Sequence, residues 1–122
     1  MANILFVDDE PLTRKLLTQA ATIMGHAALT AANEEEAIKL ANEAQPDLIV
    51  TDVNLNGRRS LQMIKQLHNA PATSAIPIVT LSALDLSEIQ AEAKANGAVA
   101  SLEKPIRLQE LLEVIGEYTP KK

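Results

Sequence analysis

The sequence predicts an α/β protein with a doubly wound, five-stranded parallel sheet covered by helices on both faces. Short apolar runs alternate five times with segments that carry apolar residues at helical spacing, which is typical of this architecture. The 122 residues are close to the most common length of one domain, and the 47% that are hydrophobic suffice for one substantial core. Right-handed crossovers leave few topologies, but the periodicity alone does not fix the order of the strands.

The composition argues against several classes of function. A net charge of −5 disfavours a general nucleic-acid-binding surface, and the lack of cysteine excludes disulfides, thiol redox chemistry and cysteine-based zinc sites. No apolar run approaches the roughly 20 residues that cross a bilayer, and the N-terminus lacks a basic-then-apolar signal segment. We therefore expect one cytoplasmic domain over residues 1–122 that binds neither nucleic acid nor membranes.

Helix start and stop signals delimit the first half of the chain. Pro11 suits the first turn of a helix, where its missing N–H costs nothing, and Gly25 is a typical helix stop. Asn33 and Glu36 resemble a capping box, which opens a second helix that ends before Pro46. The strands predicted around these helices are Asn3–Val7, the weaker Ala27–Ala31, and Leu48–Asp52.

The second half repeats the alternation. Leu61, Ile64 and Leu67 indicate a third helix, and residues 76–81 form the fourth predicted strand, with its proline near the start, where a ladder tolerates one. Asp85 is the predicted cap of a fourth helix that ends at Gly97. A fifth strand over 98–102, a last helix and a short polar tail over 118–122 complete the pattern. The apolar positions of the last helix are Leu108, Leu111, Leu112 and Ile115.

Polar side chains occur where four of the predicted strands end. Asp8 and Asp9 follow the first strand, Asp52 ends the third, Ser82 follows the fourth and Lys104 follows the fifth. The carboxyl ends of parallel strands share one edge of the sheet, so these groups can converge. Three converging carboxylates raise one another's pKa unless a cation neutralises them. Oxygen ligands favour a hard divalent ion, and Mg²⁺ typically combines one or two carboxylates with water and phosphate oxygens.

These residue types fit phosphoryl transfer. Asp52 is a candidate nucleophile because a carboxylate can carry a phosphoryl group as an aspartyl-phosphate. Lys104 offers a mobile point charge and Ser82 a neutral hydroxyl donor. Each residue alone also has a structural interpretation, such as a loop turn, a helix start or a solvated lysine. Their joint placement at strand ends favours the functional interpretation, whereas His26 and His68 are isolated and no function is expected for them.

With these motifs the chain resembles the receiver domains of bacterial two-component response regulators, which are CheY-like. The resemblance covers residues 2–118 and implies a flavodoxin/CheY-like sheet with strand order 2-1-3-4-5. The residues that carry it are Val7-Asp8-Asp9-Glu10, Asp52-Val53-Asn54, Ser82-Ala83, Gly97-Ala98 and Lys104-Pro105.

The resemblance implies a phosphorelay switch and not an enzyme, apart from catalysis of its own phosphorylation and dephosphorylation. A sensor histidine kinase or a phosphotransfer protein would phosphorylate Asp52, and an output protein that the sequence does not identify would respond. Ser82 and Lys104 would contact the phosphoryl group. The implied Mg²⁺ ligands are Asp8, Asp9, Asp52 and the backbone carbonyl of Asn54.

Two departures from the family pattern bear on function. Ser101 stands where the family usually has an aromatic residue, and Leu55-Asn56-Gly57-Arg58-Arg59-Ser60 replaces a loop that usually reads Met-Pro-x-Met-Asp-Gly. One alternative function is a receiver-like interaction module that works without phosphorylation. Another is an aspartate-nucleophile phosphohydrolase, but those usually carry a second acid where this chain has Asn54. A P-loop enzyme is excluded because the chain has no Gly-rich Lys-Ser/Thr loop.

Overall fold

Apolar strands and amphipathic helices alternate along the chain as the sequence predicts. A computed structural model describes residues 2–55, 58–82 and 86–119. The sheet strands are β1 (Asn3–Val7), β2 (Ala27–Ala31), β3 (Leu48–Asp52), β4 (Ile78–Ser82) and β5 (Ala100–Glu103). The helices are α1 (Pro11–Ile23), α2 (Glu34–Ala44), α3 (Leu61–Asn69), α4 (Leu86–Ala95) and α5 (Leu108–Tyr118). No helix in these described ranges is long and apolar enough to cross a membrane.

The five strands form one parallel sheet in the order β2-β1-β3-β4-β5. This confirms the fold class and the strand order 2-1-3-4-5. The chain winds outward from β1 in both directions, so the order reverses between β1 and β3. In open α/β sheets, ligands bind at the carboxyl ends of the strands beside such a reversal.

Side chains that alternate along each strand divide the core into two layers. Successive residues of a strand point to opposite faces of the sheet. One layer packs α1 and α5 against the sheet, and the other packs α2, α3 and α4 against it. The buried strand residues of the α1–α5 layer are Ile4, Phe6, Leu48, Val50, Val79, Leu81 and Leu102.

This alternation explains which polar groups meet at the carboxyl edge. Asp8, Asp52 and Lys104 each come two positions after a buried strand residue of the α1–α5 layer, so the strands direct all three to the same face. Thr80 and Ser101 are paired in register across β4 and β5 and belong to the opposite face. The acids and the lysine are therefore separated from this hydroxyl pair by the sheet itself.

Several element boundaries differ from the sequence prediction. β4 covers Ile78–Ser82 and not 76–81, because Pro77 precedes the ladder and contributes only its carbonyl, which accepts the N–H of Ile49 at 3.0 Å. β5 begins at Ala100, two residues later than predicted, and α5 extends through Tyr118 into the predicted tail. The predicted cap Asp85 lies outside the described residues.

The first helix buries a narrower face than its apolar pattern indicates. Leu17, Ala20 and Ala21 are buried, whereas Leu12 and Ile23 are 75% and 67% exposed. The buried face of α1 is therefore formed by one leucine and two alanines, whereas Leu12 and Ile23 lie outside it.

The capping box at the start of α2 forms as predicted. The Asn33 side chain accepts the Glu36 N–H at 2.8 Å, and the Glu36 carboxylate accepts the N–H of Ala32 at 3.1 Å. Two N–H groups near the helix start, which have no partner within the helix, are thereby satisfied.

Replacing Asn33 tests the strength of this cap. We expect Asn33→Ala to lower the free energy of unfolding by about 1 kcal/mol, because the N–H of Glu36 loses its acceptor. Asn33→Ser, which keeps an acceptor, should unfold close to wild type in urea followed by circular dichroism. Equal unfolding midpoints for the alanine variant and wild type would contradict a stabilising cap.

Candidate functional site

Three carboxylates meet at the carboxyl edge of the sheet. One oxygen from each of Asp8, Asp9 and Asp52 lies within 4.8 Å of the others. Asp8 is fully buried, Asp52 is 6% exposed, and Asp9 is exposed. The cluster is therefore open to solvent on the side of Asp9 and closed behind Asp8.

Lys104 bridges the two buried acids. Its Nζ donates to Asp8 Oδ2 at 2.9 Å and to Asp52 Oδ2 at 2.8 Å. The backbone N–H of Lys104 also donates to the carbonyl of Ser82 at 2.8 Å, and the following peptide bond, to Pro105, is cis. The loop after β5 is thus tied to the end of β4, and its lysine reaches across β4 to the ends of β3 and β1.

Each of the two bridged acids is held by a local turn of the same kind. Asp8 Oδ1 accepts the N–H of Glu10 at 2.9 Å, and Asp52 Oδ1 accepts the N–H of Asn54 at 3.0 Å. In each case an aspartate bonds to the amide two residues further on, which fixes its rotamer. Each carboxylate therefore presents Oδ1 to its own loop and Oδ2 to Lys104.

Burial and charge shift the titration of the bridge. Burial raises the pKa of Asp52 above its ordinary value, although hydrogen bonds from Lys104 and Asn54 act in the opposite direction. Burial alone would lower the pKa of Lys104, but its hydrogen bonds to Asp52 and Asp8 outweigh this effect and raise the pKa. The pair is asymmetric because the ammonium gains two carboxylates, whereas Asp52 shares one ammonium and also feels the charge of Asp8.

The donor set suits a hard divalent cation. All three converging side chains offer carboxylate oxygens, which are the ligands that Mg²⁺ prefers. The ammonium group between Asp8 and Asp52 shows that the acids already take a positive charge at this position. Asn54, the predicted backbone ligand, is exposed and follows Asp52 by two residues, and its N–H donates to Asp52 Oδ1. These residues could therefore hold a metal ion.

Ser82 lies in β4, at its last position, and not in the following loop. It is 2% exposed and pairs in register with Glu103 of β5. Its carbonyl accepts the Lys104 N–H, so the backbones of the predicted hydroxyl donor and the predicted lysine are hydrogen-bonded to each other. The structure thus brings all the predicted site residues to one edge of the sheet.

Ser101 forms a hydroxyl pair in place of the aromatic residue usual in the family. Its Oγ lies 2.7 Å from the buried Thr80 Oγ1. Ser101 also lines a cavity of about 170 Å³ with Gln90, Lys94 and Val99. The region between α4 and β5 is therefore open where a large side chain would fill it.

A small antiparallel ribbon that was not predicted from the sequence follows Asp52. Asn54 pairs with Arg59 and Leu55 with Arg58, which leaves two residues between the strands. Asn56-Gly57 supplied the signal, since Asn-Gly is favoured in two-residue hairpin connections. Both of these residues lie outside the described part of the chain.

The end of the ribbon is hydrogen-bonded to the last residue of β3 and to the residue that follows it. Ser60 N–H donates to the Val53 carbonyl at 2.7 Å, and Ser60 Oγ donates to the Asp52 carbonyl at 2.7 Å. The unusual loop sequence therefore still anchors the backbone of Asp52.

The two histidines make structural contacts. His26 Nδ1 accepts the N–H of Ala2 at 3.0 Å and so fixes the start of β1. His68, in the last turn of α3, occupies the space where a side chain at Gly97 would begin.

Neutralising Asp52 should stabilise the metal-free protein at neutral pH. Because the pKa of Asp52 is raised on folding, the folded state binds more protons than the unfolded state above pH 3.8, and stability falls as this carboxyl ionises. Asp52→Asn removes that cost, so its urea midpoint should exceed that of wild type at pH 7. The difference should shrink as the pH falls and level off below pH 3.8, where the wild-type carboxyl is protonated in both states. A lower midpoint for the variant at pH 7 would contradict this account.

Comparisons with known proteins agree with the fold and identify the family. A model of the response regulator receiver domain matches residues 4–116. Protein PilH of Pseudomonas aeruginosa is 34% identical over 115 residues, which are 94% of this chain and 95% of PilH. The polar-differentiation response regulator DivK of Brucella anthropi is 28% identical over 116 residues, covering 95% of this chain and 94% of DivK.

A solved structure with a similar fold also comes from a response regulator. The chemotaxis protein CheY4 of Vibrio cholerae matches with a TM-score of 0.90 and 30% identity, covering 97% of this chain and 98% of CheY4. The match therefore extends over nearly the whole length of both chains. This chain therefore belongs to the response regulator receiver domain family.

Proposed function

We propose that this receiver domain is a signalling switch that takes a phosphoryl group on Asp52. A sensor histidine kinase or a phosphotransfer protein donates the group, and an output protein responds to the phosphorylated form. The observation that carries the proposal is the Lys104 bridge, since it joins the acceptor carboxylate to a second buried acid and to a mobile cation.

Asp52 has the properties of a nucleophile held in one orientation. Its Oδ1 is fixed by the Asn54 N–H, its backbone carbonyl is fixed by Ser60, and its side chain is open to solvent only slightly. A bond forms between a carboxylate oxygen and phosphorus while the bond from phosphorus to the donor breaks. The leaving group of the donor takes a proton from water. Positioning supplies much of the rate because the carboxylate needs no activation by a base.

Lys104 moves its charge from the acids to the incoming group. In the resting state its ammonium is divided between Asp8 and Asp52. When Asp52 becomes an acyl phosphate, the negative charge lies on the phosphoryl oxygens, so the ammonium gains by following it. The Ser82 hydroxyl offers a neutral donor from the end of β4, and the Lys104 backbone already touches that residue.

Magnesium is the proposed cofactor. When bound, Mg²⁺ would neutralise charge on the phosphoryl oxygens as the group transfers. Asp9 is the exposed member of the cluster and gives the ion access from solvent. The residues that would hold it are Asp8, Asp9, Asp52 and the backbone carbonyl of Asn54.

Phosphorylation replaces the single negative charge of the Asp52 carboxylate with up to about two negative charges on the phosphoryl oxygens, so the carboxyl edge gains about one negative charge. The ammonium of Lys104, the end of β4 and the loop after β5 respond together because Lys104 N–H is bonded to the Ser82 carbonyl. We propose that α4, β5 and α5 carry the response to the output protein. Catalysis by the domain is limited to phosphorylation and dephosphorylation of its own Asp52.

Labelling with a small phosphodonor tests this function. With Mg²⁺ and acetyl phosphate, intact-mass spectrometry should show one added phosphoryl group that is stable in acid and labile in base. Asp52→Asn should abolish labelling, and Asp9→Ala should reduce it strongly because the ion loses its exposed ligand. Asp47→Asn is the matched control, since Asp47 lies at the opposite end of β3 and accepts the N–H of Asn3.

Two outcomes would overturn the proposal. Equal labelling of wild type and Asp52→Asn would place the acceptor elsewhere. No labelling of wild type by acetyl phosphate or by a phosphorylated histidine phosphotransfer domain would favour an interaction module that works without phosphorylation.

A further inference from the structure

We propose that Arg14 is a positioning residue that holds the Asp8–Asp9 turn in the geometry that binds the divalent cation. The inference rests on the proposed function of the acid cluster, but it concerns a residue outside the set of acids, hydroxyl and lysine described above. Arg14 acts through the main chain of Asp8 and does not touch the phosphoryl group.

The contact is short and involves a permanent charge. Arg14 Nη1 donates to the Asp8 carbonyl at 2.7 Å. Hydrogen bonds from charged donors are shorter and stronger than those between neutral groups. The planar guanidinium presents its donors in a rigid fork, which fixes the direction of this hydrogen bond. Arg14 therefore supplies a constant constraint, unlike Lys104, which must move.

The same residue is also bonded to the turn through its backbone. Arg14 N–H donates to the Glu10 carbonyl at 3.1 Å, which is the first hydrogen bond of α1. The first hydrogen bond of α1 and the hydrogen bond of the Arg14 side chain thus both bind the turn formed by residues 8–10. Within that turn the Glu10 N–H bonds to Asp8 Oδ1, so the backbone and the carboxylate of Asp8 are fixed from both sides.

The Asp8 carbonyl is the part of the turn that the sheet leaves without a ladder partner. The last pair of β1 is Val7 with Thr51 on one side and with Ala31 on the other. Asp8 N–H still donates to the Ala31 carbonyl at 3.1 Å, whereas its own carbonyl is satisfied by Arg14. Asp8 is fully buried, so loss of this donor would leave a buried acceptor unpaired, and the peptide would be expected to rotate.

Rotation of that peptide would move Asp9. The Asp8 carbonyl belongs to the peptide unit that joins Asp8 to Asp9, and this unit is planar. Asp8 keeps its other anchors, which are the Glu10 N–H and Lys104. Asp9 is exposed and directly follows this peptide unit, so its carboxylate moves when the unit rotates. Arg14 therefore sets the position of the third carboxylate relative to the other two.

A positioning role and a purely electrostatic role of Arg14 predict opposite changes in Mg²⁺ affinity when Arg14 is removed. A guanidinium next to the cluster repels Mg²⁺, so an effect of charge alone would make removal of Arg14 strengthen metal binding. Positioning predicts weaker binding. A third possibility, a purely structural role, predicts lower stability with unchanged affinity for Mg²⁺. Magnesium affinity, measured separately from activity, distinguishes the three.

Three substitutions separate hydrogen bond from charge. Arg14→Lys keeps a charged donor, Arg14→Gln keeps a neutral donor, and Arg14→Met keeps only the length of the side chain. Lys15→Met is the matched control, because it removes the same charge from the next, exposed residue of α1. The dissociation constant for Mg²⁺ follows from the metal-dependent rise in urea midpoint, since an ion that binds only the folded state stabilises it.

The expected result is graded. Arg14→Met should weaken Mg²⁺ binding about tenfold, at the lower end for residues that orient metal ligands, because Asp8 keeps two other anchors. The Mg²⁺ affinity of Arg14→Gln should lie between those of Arg14→Met and wild type. The affinities of Arg14→Lys and Lys15→Met should stay close to that of wild type. Labelling of Asp52 should need correspondingly more Mg²⁺ but approach the wild-type rate at saturation.

Unchanged or tighter Mg²⁺ binding by both Arg14→Met and Arg14→Gln would overturn the inference. If Arg14→Met does not fold, Arg14→Gln still decides the question. Failure of the proposed function has a separate signature, since wild type would then not be labelled on Asp52 at any Mg²⁺ concentration.

Discussion

The ammonium group of Lys104 between Asp8 and Asp52 is the interaction on which the site depends. Two buried carboxylates at neighbouring strand ends would repel each other without a cation between them. Lys104 Nζ lies 2.9 Å from Asp8 Oδ2 and 2.8 Å from Asp52 Oδ2. Lys104 is 96 residues from Asp8 and 52 from Asp52, so the bridge exists only when β1, β3 and β5 end at the same edge. The fold thus creates a charged site that no local segment could form.

The alternation of residues along the strands made much of this site predictable. Strand ends could be placed from apolar runs, and the family resemblance supplied their order. The contact of Arg14 was not predictable, because it depends on how one helix side chain reaches back to the Asp8 carbonyl. The ribbon after Asp52 was missed although Asn56-Gly57 indicated it, and Pro77 shifted a boundary that periodicity does not resolve. The single domain over residues 1–122 remains a prediction.

The side chains on the two faces of the sheet indicate a route by which a change at Asp52 can reach the α4 side. Asp52 and Lys104 belong to the α1–α5 face, whereas the Thr80–Ser101 hydroxyl pair belongs to the α4 face. No bulky ring at position 101 links the faces, so the described path runs through the main chain, from Lys104 N–H to the Ser82 carbonyl and along β4. A ligand or modification shifts such an equilibrium only through its different interaction with the two states. In the proposed mechanism that difference is the transfer of the Lys104 ammonium from the acids to the phosphoryl group.

The Mg²⁺ affinity of a Lys104→Met variant tests this account most directly. If the ammonium occupies the acids as a replaceable cation, its removal should tighten Mg²⁺ binding in a urea-midpoint titration and also slow the labelling of Asp52 by acetyl phosphate. Lys94→Met, on an exposed position of α4, serves as the control for net charge. Weaker or unchanged Mg²⁺ binding together with wild-type labelling would contradict the central role of the bridge.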